Sequence, residues 1–246
     1  MSNSVLIIGS TGAIGEAIAL QVHRSGLEVY LHGNSDVERL ERLSQVCGDA
    51  KFFTFDLTGR AEKTEFVRQI GDGVESIDSL VIAVGCAFEN KLTHRVEWSQ
   101  FEQQISLQLK SAHFVLSTLF PALRKKAENN EVRIVVLGSE YSRGLPPPKT
   151  ASYAAAKAAL VAYAKVLSQE WIKFNIRVFI VSPGMVKSKM TGSIPDLFFE
   201  ELAEQSSEKR LTEHEDIAFL VDFLLSGRGD AMYGYDIPVN RGPNRQ

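Results

Sequence analysis

The sequence predicts an α/β protein built on one doubly wound parallel sheet with helices on both faces. Three observations carry that prediction. Short apolar, β-branched runs recur along the chain, helix-forming stretches separate them, and a glycine-rich turn joins the first run to the first helix. With 246 residues, 44% of them hydrophobic, the chain can bury one sizeable core without splitting, so residues 1–246 read as a single domain.

Val5–Ile8 is apolar and β-branched, as a buried strand requires. Gly9-Ser10-Thr11-Gly12-Ala13-Ile14-Gly15 follows at once, then Glu16–Val22, a helix with apolar positions at 14, 18 and 22. Gly26 stands where a helix C-terminal glycine belongs, and Leu27–Leu31 resumes as a second strand. Strand, glycine turn, helix and strand form a βαβ unit, the Rossmann-like device for holding a dinucleotide. The backbone must turn tightly there and approach a pyrophosphate whose charge rests on the helix N-terminus. Gly9, Ser10, Thr11, Gly12, Ile14 and Gly15 are therefore expected to bind the cofactor.

The second strand ends in His32-Gly33-Asn34-Ser35, with Asp36 one step beyond. An acidic residue at that end selects NAD by bonding the ribose 2′-hydroxyl. Asn34 and Ser35 are neutral donors suited to a 2′-phosphate, so NADP is expected over NAD, with no arginine foreseen to clamp it.

The alternation continues. Lys51–Phe55 is a third strand ending in Asp56-Leu57, and a helix follows at about 61–70. Asp78–Val84 is a fourth strand ending at Gly85, and Glu97 to about Lys126 is helical, with an interruption expected near Pro121. Val132–Leu137 is a fifth strand, leading through a loop with Pro146, Pro147 and Pro148 to the helix of Tyr153. Ile176–Val181 is a sixth strand ending in Ser182-Pro183-Gly184. A helix at about 213–225 and a strand at Tyr235–Val239 complete the pattern. In such a sheet the ligand lies beyond the carboxyl ends of the strands, where Gly9, Asp56, Gly85, Ser139 and Pro183 all fall.

Tyr153-Ala154-Ala155-Ala156-Lys157 is alanine-rich helix, and positions four apart share a face. A free tyrosine has a pKa of about 10, too high for efficient proton transfer near neutrality. The neighbouring ammonium is expected to favour the phenolate and lower it. The Ser139 hydroxyl could then hold a carbonyl oxygen while Tyr153 protonates it.

Composition excludes several classes. A net charge of −3 without a long basic run argues against nucleic acid. Cys47 and Cys86 lie far apart, which suggests a reducing compartment and no disulfide framework, and the five scattered histidines offer no metal site. Nothing resembles a membrane span or a signal peptide, so a cytoplasmic location is expected.

Taken together, the glycine turn, Asp56-Leu57, Gly85, Ser139, Tyr153-x-x-x-Lys157, Pro183-Gly184 and Val239-Asn240-x-Gly242 resemble the short-chain dehydrogenase/reductase family over nearly the whole chain. Within it the chain is most similar to the bacterial 3-oxoacyl-acyl-carrier-protein reductases. The resemblance implies that Tyr153 is the acid/base, that Lys157 binds the nicotinamide ribose and lowers the tyrosine pKa, and that Ser139 positions the substrate oxygen. It implies that Asp56 and Leu57 border the adenine, that Val84 and Gly85 border the cofactor, and that Pro183, Gly184, Val186 and Ser188 line the nicotinamide. The stretch from 188 to about 210 should form a mobile lid over the substrate.

The departures matter. Ala13 stands where the family usually has glycine, and Gly12 gives a spacing seen in longer relatives that act on nucleotide sugars. Ile82-Ala83-Val84-Gly85 replaces a motif with two bracing asparagines. Gln108 occupies the place of the asparagine that completes the catalytic set and helps hold a proton-relaying water. The expectation is an NADP-dependent reductase of a small-molecule or carrier-bound ketone. A non-catalytic nucleotide sensor and a sugar-nucleotide epimerase remain alternatives. The apolar stretch Trp98–Leu119 exceeds what one sheet-facing stripe needs, and similar proteins pair such helices, so a homo-oligomer is expected, a tetramer or else a dimer.

Overall fold

The computed structural model describes residues 4–59, 62–87, 90–188, 191–192 and 194–241. Among these, seven strands form one parallel sheet: β1 (Ser4–Ile8), β2 (Glu28–Gly33), β3 (Lys51–Thr54), β4 (Ser79–Ile82), β5 (Val132–Leu137), β6 (Ile176–Pro183) and β7 (Asp236–Val239). Their order is β3-β2-β1-β4-β5-β6-β7. The chain moves outward from β1 to β3, then returns to place β4 on the other side of β1. That reversal opens a crevice at the carboxyl ends of β1 and β4, where Ile8 pairs with both His32 and Ile82.

Strand residues alternate between two cores, as the two-residue period of a strand dictates. Val5 and Ile7 face α1 (Ala13–Arg24), α2 (Val37–Val46) and α8 (His214–Leu225). Leu6 and Ile8 face α3 (Lys63–Ile70), α5 (Ser111–Ala127) and α6 (Ala151–Trp171). The remaining helices are α4 (Trp98–Ile105) and α7 (Asp196–Gln205). The expected doubly wound α/β fold is thus present. Cys47 and Cys86 are both free.

Four details differ from expectation. The α2 helix was not foreseen: Asp36 caps it by accepting from the Arg39 amide at 3.2 Å, and Leu40 and Leu43 seat it in the core. Pro121 does not interrupt its helix. It is exposed, so the donor it lacks is missing on the solvent side, and α5 continues to Ala127. The interruption comes earlier, as a π turn over Ser106–Lys110 between α4 and α5. Finally, α7 lies within the stretch expected to be a lid; residues 189, 190 and 193 of that stretch, like Gly242, fall outside the described residues.

Phe66 on α3 is fully buried, with ring centroids of Phe53, Phe55 and Phe114 at 5.8, 5.2 and 5.4 Å. Phe66→Ala should cost about 3–5 kcal/mol, measured as a fall in the urea midpoint at constant slope.

Candidate active site

The site begins with a close approach of backbone to backbone. Gly9 has φ +89°, and a Cβ there would stand 2.8 Å from the Ala83 carbonyl oxygen. A Cβ on Gly15 would stand 2.2 Å from the Gly9 carbonyl oxygen. Side chains at either position would force the turn away from β4 or α1 away from the turn. Gly12 caps α1 without a side-chain hydrogen bond, so the first-turn N–H groups stay available to an anion. This is a cradle that fits a pyrophosphate.

The main cleft has a volume of about 270 Å³ and runs along the carboxyl edge of the sheet. Thr11, Gly12, Ile14 and Gly15 form one wall, Val84 and Gly85 the floor, and Pro183, Gly184, Val186 and Ser188 the far side. Ser139, Tyr153 and Lys157 close it. A second hollow adjoins, lined by Gly9, Asn34, Asp56 and Leu57, and shares Thr11, Gly12, Val84 and Gly85 with the first. Asp56 accepts from the Thr58 amide at 2.8 Å and its hydroxyl at 2.6 Å, which holds the carboxyl below its usual range.

Three expected residues are placed elsewhere. Ser10 is buried beneath the turn, where its hydroxyl donates to the His32 carbonyl at 3.0 Å, so it braces the loop without lining the cleft. Ser35 is exposed and lines neither hollow, because the chain turns outward into α2. Gln108 is fully buried in the π turn and also lines neither. Its amide donates to Gln104 Oε1 at 2.6 Å, and Gln104 in turn donates to the Ala87 carbonyl at 3.0 Å and Cys86 Sγ at 3.2 Å. Gln108 Oε1 has no hydrogen-bond partner among the described residues. Its amide thus belongs to this buried chain, behind the cleft.

Tyr153 and Lys157 share the inner face of α6, as their spacing predicts. Lys157 Nζ donates to the Leu137 carbonyl at 2.8 Å and lies 6.0 Å from the Tyr153 ring centroid. Burial pushes this ammonium down to about 8, since a buried cation loses its hydration. Burial likewise pushes the Tyr153 phenol up, against the opposing effect of its hydrogen bond with Ser139. The direction is opposite to the one expected from the lysine: desolvation outweighs the hydrogen bond with Ser139.

Sequence reasoning missed Arg39, His32 and Tyr141. Arg39 lines the main cleft and is held there by Glu16, which accepts from its Nε at 2.7 Å. Recognising α2 from Asp36, Leu40 and Leu43 would have placed Arg39 one turn into that helix, near the end of β2. Tyr141 also lines the cleft, with its ring centroid 6.1 Å from that of Tyr153 and its phenol pushed up to about 12, chiefly by burial. The buried His32 ring accepts from the Gly9 amide at Nδ1 (3.3 Å), and its Nε2 lies 3.0 Å from the Phe55 carbonyl. A carbonyl can only accept, so Nε2 carries the proton.

Comparison with known proteins gives the family. A sequence model of the family described as Enoyl-(Acyl carrier protein) reductase matches residues 9–244. The chain belongs to the short-chain dehydrogenase/reductase family. As a member it is an NAD(P)-dependent oxidoreductase. This short-chain dehydrogenase/reductase is 32% identical to the 3-oxoacyl-(acyl-carrier-protein) reductase FabG of Rickettsia conorii over 237 residues, 96% of this chain and 95% of that protein. It is 30% identical to nodulation protein G of a Rhizobium species, over 96% and 95% of the two chains. Its fold matches solved structures of ElxO with NADP bound (TM-score 0.87, 19% identity, 98% of each chain) and of a Burkholderia thailandensis short-chain oxidoreductase (TM-score 0.87, 22% identity, 98% and 92%). Among the described residues, no cluster of three metal-binding side chains occurs, and no helix is long and apolar enough to cross a membrane.

His32 gives the protein a pH signature. Burial pushes its pKa from 6.5 down to about 4. Between those values the unfolded chain binds the proton and the folded one does not, so this contribution is present above pH 6.5 and lost as pH falls toward 4. Between pH 6.5 and 5 the wild type should lose about 1.5 kcal/mol that His32→Phe does not, read from urea titrations at each pH.

Proposed function

We propose that this protein is an NADP-dependent ketone reductase acting on a 3-oxoacyl thioester or a related small-molecule or carrier-bound carbonyl. The observation that carries the reading is the convergence of Ser139, Tyr153 and Lys157 on a cleft that also holds the glycine cradle. The names of the curated relatives support the substrate class.

Each residue has a task that its chemistry allows. The first-turn amides of α1 and the backbone of Gly9 and Gly12 hold the pyrophosphate, while Asp56, Leu57 and Asn34 border the adenosine half. Arg39 supports NADP: a guanidinium at the cleft rim can take a 2′-phosphate through two parallel hydrogen bonds. The bound nicotinamide supplies the hydride. Ser139 holds the substrate oxygen, and the Tyr153 O–H protonates it as negative charge builds there. Lys157 steadies the tyrosinate that remains, because an ammonium costs less to bury once an anion faces it. Val84, Pro183 and Val186 provide apolar walls that keep water from the reacting carbon.

We also propose that the region from 188 to about 210, including α7, closes over the substrate, with the exposed Leu197 and Phe198 turned toward an apolar ligand. The exposed Trp98, stacked on Phe101 at 5.6 Å, supports assembly into a homo-oligomer, a tetramer or else a dimer. A cytoplasmic location accords with the free thiols.

Two experiments test the reading. Tyr153→Phe should abolish NADPH-dependent reduction of a ketone panel yet leave NADPH affinity within about twofold, whereas Lys157→Ala should lower both. A wild type that binds NADPH but reduces nothing would favour the non-catalytic alternative. In calorimetry the wild type should bind NADPH more tightly than NADH. Arg39→Ala should weaken NADPH about tenfold with little change for NADH; equal losses for the two would remove Arg39 from the 2′-phosphate.

A further inference from the structure

We infer that His32 is a positioning residue that sets the spacing between the phosphate turn and the Asp56 turn, and so controls dinucleotide affinity. The inference rests on the nucleotide-binding reading above and adds a residue to it.

His32 is the penultimate residue of β2, opposite Ile8, and lines the hollow that also contains Gly9 and Asp56. The backbone carbonyl of His32 accepts from the amides of Gly9 and Ser10 at 3.1 and 2.9 Å and from the Ser10 hydroxyl at 3.0 Å. The ring adds two contacts: Nδ1 shares the same Gly9 N–H with the carbonyl, as the longer arm at 3.3 Å, and Nε2 donates to the Phe55 carbonyl at 3.0 Å. Phe55 immediately precedes Asp56. One imidazole therefore bridges the turn after β1 and the turn after β3, two strands that are not neighbours in the sheet. Phe53 at 5.2 Å and Phe66 at 6.5 Å pack against the ring and fix its plane.

Only a neutral imidazole can accept from Gly9 and donate to Phe55 at once. Phenylalanine keeps the ring and loses both bonds. Asparagine puts Oδ1 close to where Nδ1 stands, which keeps the Gly9 tie and gives up the longer reach to Phe55. A ligand that spans both turns depends on their separation. A group that reacts beyond Gly85 does not.

The test is NADPH calorimetry together with steady-state kinetics on wild type, His32→Phe and His32→Asn, with Gly9 amide exchange followed by NMR. His32→Phe should raise the NADPH dissociation constant at least tenfold, with kcat at saturating NADPH within twofold and a faster-exchanging Gly9 amide. His32→Asn should recover part of the affinity and of the amide protection. If His32→Phe does not fold, His32→Asn decides alone: it should weaken NADPH at least threefold, with kcat preserved. NADPH affinity within twofold of wild type in the folded variants would overturn the inference while leaving the nucleotide reading intact. A fall in kcat in step with affinity would also overturn it, as the mark of a merely structural role. A wild type that binds neither NADPH nor NADH would sink the nucleotide reading itself, and this inference with it.

Discussion

Because β1, β4, β5 and β6 run parallel and in register, Ile8 sits beside Ile82, Ile82 beside Val136, and Leu137 beside Val181. The turns that follow these strands must then open on one edge of the sheet. Gly9, Gly85, Ser139 and Gly184 come together there although 175 positions separate the first from the last. The approach is tight enough that Gly9 lies against the Ala83 carbonyl and Gly15 against Gly9. Loosening either contact would move α1, and with it the amides that face the cleft.

The same burial that brings these groups together works against their charges. Tyr153 and Lys157 are both nearly inaccessible, and each is pushed toward its neutral form. The two shifts act differently on proton transfer: the raised phenol stays protonated but gives its proton up less readily, while a lysine near 8 is close to ambient pH, where gaining or losing a proton costs little. The Leu137 carbonyl holds the ammonium on the strand, so its position does not depend on the tyrosine. Rigid placement of this kind lets a small set of side chains do chemistry without reorganising.

The two asparagines that the sequence lacks at positions 82 and 83 leave the β4 turn without side-chain amides of its own. Gln104 supplies one from the opposite side, gripping the Ala87 carbonyl and the Cys86 thiol, and Gln108 braces Gln104 in turn. Gln108 stands in the π turn four residues after Gln104, close enough for its amide to reach Gln104 Oε1. A substitution that reads as a loss at one position is thus met by polar groups from another element.

By itself, the sequence determined the order of elements and the chemistry available. Apolar runs, the glycine turn and the alanine-rich helix each follow from local rules: β-branched crowding, backbone freedom at glycine and helical spacing. These made the parallel sheet, the cradle and the Tyr153–Lys157 pair legible. The short α2 and α7 went unread, although the Asp36 cap and the three-residue spacing of Val37, Leu40 and Leu43 marked α2 locally. Nor could local rules show that Pro121 falls on a solvated face or that the helix widens into a π turn at 106–110 instead. The directions of the tyrosine and lysine shifts, the removal of Ser10, Ser35 and Gln108 from the cleft, and the arrival of Arg39 and His32 were decided by tertiary structure. Each depends on how much water the packed neighbours exclude and on which distant carbonyl a side chain meets, and both quantities exist only once the chain has closed around them.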